Sequence, residues 1–182
     1  MVLEHGDIQF VFQPTVQAAD ALEVALGVQA FFVILSPAGG KHRRVRVGKK
    51  RMPASARERF WARVERVGSF QRVLGDKLEA DTYDTKTRGE RYQPAARPIA
   101  HGSYEIVQHE DHVHLRYDVE PFAFEDAPDE IAVPEHGDHL LLWKRVPKAG
   151  AVWTHAPRID QLDVEGGELV LVGPGHAAEP AS

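Results

Sequence analysis

The sequence predicts a single α+β domain with a mostly antiparallel sheet and two or three short helices. Three observations carry that expectation. Six or seven short stretches have strand-like apolar patterning bounded by turn residues. Two or three others have helical spacing with start and stop signals. No repeat or linker divides the 182 residues, a length that builds one good core and is tight for two. The domain is expected over residues 1–176, with a loose tail at 177–182.

The elements follow in chain order. Residues 7–13, DIQFVFQ, put Ile8, Phe10 and Phe12 on one face, and Pro14 ends the run. Residues 18–27, AADALEVALG, read as a short helix closed by Gly27. Residues 30–36, AFFVILS, are apolar throughout and belong in the middle of a sheet. After the turn PAGG, residues 43–48 alternate. Val45 and Val47 point inward, and Arg44 and Arg46 lie on the outer face of the resulting hairpin.

Residues 55–68, SARERFWARVERVG, are the strongest helix candidate. Ser55 and Glu58 have capping-box spacing, Phe60, Trp61, Val64 and Val67 form an apolar stripe, and Gly68 stops the run. Arg59, Arg63 and Arg66 form a basic stripe beside it. A second short helix is predicted within residues 70–78. Residues 81–102 show no period and read as a long polar loop of the kind that binds ligands.

Residues 103–122 form a hairpin. A two-residue turn at Glu110-Asp111 sets His109 opposite His112, Ile106 opposite Leu115, Tyr104 opposite Tyr117 and Glu105 opposite Arg116. That register buries Val113, Leu115 and Tyr117 and leaves His112, His114 and Arg116 in water. A Pro/Asp-rich link, 121–134, leads to a strand at 139–146. In residues 160–173 a turn at Gly166-Gly167 pairs Val164 with Leu169 and Leu162 with Leu171.

Composition narrows the chemistry. The chain has no cysteine, which excludes disulfides, Cys-ligated zinc, iron–sulfur clusters and thiol nucleophiles. The segment PAGGKHRR lacks the glycine spacing and the hydroxyl of a Walker A loop. No dinucleotide fingerprint, H-E-x-x-H or G-x-S-x-G is present, and no cofactor is implied. The longest apolar run, VQAFFVIL, suits a buried strand and not a membrane span. The first ten residues lack a basic start before an apolar stretch, so a cytoplasmic location is expected.

Charge is unevenly spread. Residues 41–97 carry 17 of the 22 Lys and Arg and 7 acids, a net of +10, inside a chain of net −5. Residues 98–182 carry 5 basic residues and 16 acids. Arginine forks match phosphate oxygens, and Tyr83 and Tyr92 offer stacking surfaces. The expected function is therefore binding of a phosphorylated small molecule or nucleic acid through residues 41–97. The named residues are Arg44, Arg46, Lys49, Lys50, Arg51, Lys86, Arg88 and Arg91.

Two alternatives stand beside it. HEDHVHL places His109, His112 and His114 on one hairpin face. Together with His136 or His139 they are the candidate ligands of a metal-dependent enzyme, against the plainer reading of a wet polar face. In the other alternative the acidic C-terminal half is a structural or partner-binding surface that neutralises the basic block.

At KTRGERYQPAARP, HEDHVHLRYDVE, VEGGELVLVG and FFVILSP…RRVRVGKKRMP the chain resembles a family of small prokaryotic proteins of no stated activity. The resemblance implies one whole domain and supplies no catalytic residues.

Overall fold

The computed structural model describes residues 1–14, 28–75, 95–121, 131, 133–144, 153–154 and 159–175, and the backbone alone of 17–18, 81–85 and 89–93. Its strands are β1 (Val2–Pro14), β2 (Gln17–Ala18), β3 (Val28–Pro37), β4 (His42–Val47), β5 (Arg59–Gly68), β6 (Asp81–Thr85), β7 (Gly89–Gln93), β8 (Arg97–His109), β9 (His112–Pro121), β10 (His136–Lys144), β11 (Trp153–Thr154) and β12 (Glu168–Val172). One short helix, α1 (Phe70–Leu74), and one 3-10 turn (Ile159–Asp163) complete the described elements.

Eight strands close into an antiparallel barrel in the order β10-β12-β5-β4-β3-β1-β8-β9, and β9 pairs back onto β10. The architecture is a β-barrel and not the expected α+β domain. Strands β2, β7 and β6 form a separate three-stranded sheet. No helix among the described residues is long and apolar enough to cross a membrane.

The largest correction falls on residues 59–68, which form a strand and not a helix. Phe60, Ala62 and Val64 also alternate at period two, and all three are buried. Ala62 separates the two readings. A helix would leave it beside the stripe, whereas the barrel seals it completely. Trp61, which a helix would bury, stands 40% exposed on the outer wall. The register with β4 slips between Arg44 and Val45, so Val45 faces Val64 and Arg44 faces Arg66. That bulge returns Val67 to the interior. Pairing on both sides, to β4 and β12, satisfies the backbone and overrides local helical preference.

The Ser55–Glu58 spacing closes a turn instead of starting a helix. The Glu58 amide donates to the Ser55 carbonyl, and the Glu58 carboxylate accepts from the Ala54 amide.

Other expectations fared differently. The hairpin register at 103–122 is as predicted at all four named pairs, with Glu110 at φ 57 in the turn. Val113, Leu115 and Tyr117 are buried and Arg116 is exposed. His114 points outward as predicted yet is only 7% exposed, held by Asp138. The loop expected at 81–102 is instead the hairpin β6–β7 followed by β8. Its polar alternation gave no apolar face to recognise. Gly166-Gly167 does turn the chain, but the preceding residues form the 3-10 turn, and β12 pairs with β5 and β10. The helix expected within 70–78 forms as α1 over Phe70–Leu74, and 76–78 lie outside the described residues. Of the helix expected at 18–27, Ala18 lies instead in strand β2, and 19–27 lie outside the described residues.

The barrel interior is filled by side chains. Phe10, Phe31, Trp143, Ile106 and Val64 are at most 1% exposed. Eight strands leave a bore just wide enough for that. The residual apolar void, lined by Val33, Leu35, Val45, Ile106, Leu115 and Leu162 among others, is about 10 Å³. It holds no more than about one water, so this barrel is not a ligand container in this conformation. Outside, β8 to β10 present Glu105, Arg116, Asp118 and Asp138. A lipid-facing wall would be apolar there.

One mouth of the barrel is plugged by the 3-10 turn. Leu162 inserts into the core at 1% exposure. Beside it Arg43 is buried, with Nη1 donating to Glu4 at 2.6 Å and Nε donating to Asp163 at 2.9 Å. The Tyr104 hydroxyl donates to the same Glu4 oxygen at 2.8 Å. Burial works against the Arg43 charge, but the bonds to Glu4 and Asp163 outweigh it and hold the guanidinium above its ordinary value. Burial, and after it the Glu4 charge, pushes the Tyr104 hydroxyl up, so it remains a donor.

Candidate functional site

Strands β4 and β5 carry the cationic wall. Val45, Val47, Ala62 and Val64 fill the barrel, so Arg46, Trp61, Arg63 and Glu65 must face out. Arg46 and Arg63 are register partners across the two strands, at a separation of about 5 Å. Like charges placed so closely repel, and a bound anion would relieve that repulsion.

The connection after β4 folds back over this wall. The Gly48 amide donates to the Trp61 carbonyl at 2.7 Å. A Cβ at Gly48 would meet that carbonyl oxygen at 2.9 Å and the indole Cε3 at 3.2 Å. Glycine thus lets the connection lie against Trp61 and carries the exposed Lys49 and Lys50 beside it. The resulting groove has a volume of about 380 Å³ and is lined by Arg46, Lys49, Lys50, Trp61, Arg63 and Glu65, with Gln29 and Gly48 at its edge.

Among the described residues four cations therefore meet one carboxylate. Glu65 is already shared, accepting from Arg44 Nε at 3.2 Å and lying 3.8 Å from Arg46 Nη1. Lys49, Lys50 and Arg63 make no ion pair among the described residues. A second depression of about 380 Å³, lined by Arg63, Glu65, Arg66 and Glu165, continues from the groove.

The expected residues divide accordingly. Arg46, Lys49 and Lys50 lie in the groove. Arg44 is on the outer face as expected but is buried, its guanidinium 5.4 Å from the Phe32 ring centre and donating to the Val73 carbonyl at the end of α1. It is a structural clamp. Arg51 is spent on Glu58 and lies over the Phe60 ring. Arg91 sits in β7 opposite Tyr83 and Ala18, in the separate sheet, and its side chain lies outside the described residues. Lys86 and Arg88 also lie outside them. Trp61 was missed as a surface group because a helical period assigned it to the core. The alternation of Phe60, Ala62 and Val64 was the signal that would have turned it outward.

Glu58 gives a measurable check on the Arg51 clamp. The Arg51 hydrogen bond, and after it the Ala54 amide, hold the Glu58 carboxyl down to about 2 from an ordinary 4.5. Because the folded value is depressed, the pair's contribution is complete above the ordinary carboxylate range and is lost as pH falls through about 2. Carbon-detected NMR titration should place the Glu58 midpoint near 2. A midpoint near 4.5 would contradict the clamp.

The histidines do not converge. His109 and His112 face each other beside the turn. His114 points out and meets Asp138 at 3.1 Å. His139 points into the barrel at 1% exposure, between the Tyr117 hydroxyl at 3.1 Å and the Val172 carbonyl at 3.2 Å. His136 pairs with Asp118 on the surface. Among the described residues no group of three His, Asp or Glu side chains is placed to hold a metal ion.

A larger concavity of about 530 Å³ lies on the far wall, across β1, β8, β9 and β10. Here Asp138 takes His114 and Arg116, Asp118 takes His136, and Glu105 stands opposite Arg116 in the ladder. Ser103, Asp118 and His136 share one cross-strand row. The carboxylate stands in the middle, so the histidine is not placed to activate the serine as in a hydrolase triad.

The acidic C-terminal part neutralises some of the basic block. Asp163 pairs with Arg43 and Glu165 with Arg72. Among the described residues no acid of that part pairs with a groove cation. Comparison with protein-family models, curated proteins and solved structures finds no match for this chain.

Proposed function

We propose that this protein is a binding module for a phosphorylated ligand, held on the outer wall of the barrel by Arg46, Lys49, Lys50 and Arg63. One observation carries the reading. Two arginines are fixed side by side across β4 and β5, with two lysines brought over them by the Gly48 connection, and among the described residues only the shared carboxylate of Glu65 stands against them. Guanidinium forks pair with phosphate oxygens in two-point geometry, and lysines add charge that tolerates several ligand poses. The field beyond about 10 Å is screened in ordinary salt, so this local excess acts despite the chain's net negative charge. A cytoplasmic location, where such ligands are abundant, is part of the proposal.

Tripolyphosphate, an anion with no base or sugar, tests the phosphate reading alone. Calorimetric titration at low ionic strength is expected to show binding that weakens at least tenfold in the Arg46→Gln/Arg63→Gln double variant. Both side chains are exposed, so thermal stability should be nearly unchanged. Equal binding by the parent and the variant, or none by either, would sink the proposal.

A further inference from the structure

We propose that the groove and the depression beside it form one track for single-stranded nucleic acid, with a base stacked on Trp61 and the backbone passing over Arg63 to Arg66. The inference rests on the phosphate reading and names the ligand class.

The two concavities share Arg63 and Glu65, so they are continuous along β5. From Trp61 to Arg66 the strand rises about 16 Å. A small phosphorylated metabolite occupies one concavity and leaves the other cation unused. A polymer with regularly spaced phosphates uses both. The carboxylates along the track are already engaged: Glu65 with Arg44 and Arg46, and Glu165 with Arg72 and the Val67 amide. Lys49, Lys50, Arg63 and Arg66 have no ion pair among the described residues.

Trp61 supplies the second half of the argument. Trp143 is fully buried, whereas Trp61 is 40% exposed at the groove. No described aromatic ring or guanidinium stacks on it. The Gly48 connection packs against one edge of the indole and limits its movement. An indole fixed in place loses little entropy on stacking, and every base has a face to offer it. In a duplex the bases are already stacked on one another and offer no free face to the indole. The track therefore selects single strands, with little sequence preference.

Fluorescence anisotropy of the whole chain with labelled oligothymidylate, single-stranded and annealed to oligoadenylate, tests this. The single strand is expected to bind at least tenfold tighter than the duplex and to quench indole emission. Trp61→Ala should cost about tenfold in affinity, with Trp61→Phe restoring most of it. Arg66→Gln should weaken the oligonucleotide and leave tripolyphosphate unchanged. The salt slope should correspond to about three or four neutralised phosphates. Tripolyphosphate binding lost in the Arg46/Arg63 variant, with no preference for single strands or no effect of Trp61→Ala, would overturn this inference while the phosphate reading stands. Failure of tripolyphosphate and oligonucleotide alike would overturn both.

Discussion

Replacing Arg43 by alanine is expected to cost about 3–5 kcal/mol of stability. The guanidinium is 3% exposed and its main partner, Glu4, is 13% exposed, at a mouth of the barrel that the 3-10 turn closes. Removing the cation leaves the Glu4 carboxylate with one remaining hydrogen bond from Tyr104. The cost is that of stranding a charge away from water, and it exceeds the net worth of the intact pair. The pair to Asp163 adds less, because Asp163 is 46% exposed and well screened. The contrast is the double variant Arg43→Met/Glu4→Gln. It removes both charges and keeps most of the volume, so it should be more stable than Arg43→Ala. Urea unfolding reads both, and a single variant that loses under about 1 kcal/mol would show that water reaches Glu4 freely.

Leu162→Ala is expected to cost about 2–5 kcal/mol and to convert the barrel's residual void into a real cavity. Leu162 is 1% exposed and closes a space lined also by Val33, Leu35, Val45, Ile106 and Leu115 among others. The parent void of about 10 Å³ admits no organic molecule. Truncation adds most of a side chain's volume, with only aliphatic groups around it, and such cavities stay dry and take up small apolar solutes. Benzene should therefore raise the thermal midpoint of the variant and leave the parent unchanged. A midpoint insensitive to benzene in both, with a cost below about 1 kcal/mol, would mean that the 3-10 turn collapses inward to fill the space.

The two predictions concern a plug that was not legible beforehand. Residues 160–173 were expected to be two strands of one hairpin, because Leu162, Val164, Leu169 and Leu171 alternate around Gly166-Gly167. The glycine turn is real, with Gly166 at φ 89. What the pattern lacked was the partner for the first arm. In the barrel β12 is already paired on both sides, by β5 and β10. The preceding residues have no free edge to join, and they curl into the mouth instead.

The candidate groove was half legible for a related reason. Arg46, Lys49 and Lys50 belong to a local hairpin and its connection, whose alternation is plain within a few residues. Arg44 looked equivalent to Arg46, being two residues earlier on the same face. Only the packing of α1 over Phe32 and Arg44 separates a buried clamp from a surface cation. Arg63 and Trp61 could not be placed until residues 59–68 were known to be a strand.

By itself the sequence determined the strands whose evidence is local: the period-two alternation in β1, β4 and β9, the register of the β8–β9 hairpin, and the absence of thiol chemistry. Period two is enough to say which side chains share a face, and a two-residue turn is enough to align neighbours. Only the tertiary structure decided that the sheet closes. Closure requires β1 to meet β8 and β12 to meet β5, contacts between segments far apart in the chain that leave no mark in either segment alone. Closure also decided the strand at 59–68, whose residues satisfy two periods equally until neighbours on both sides accept its backbone hydrogen bonds.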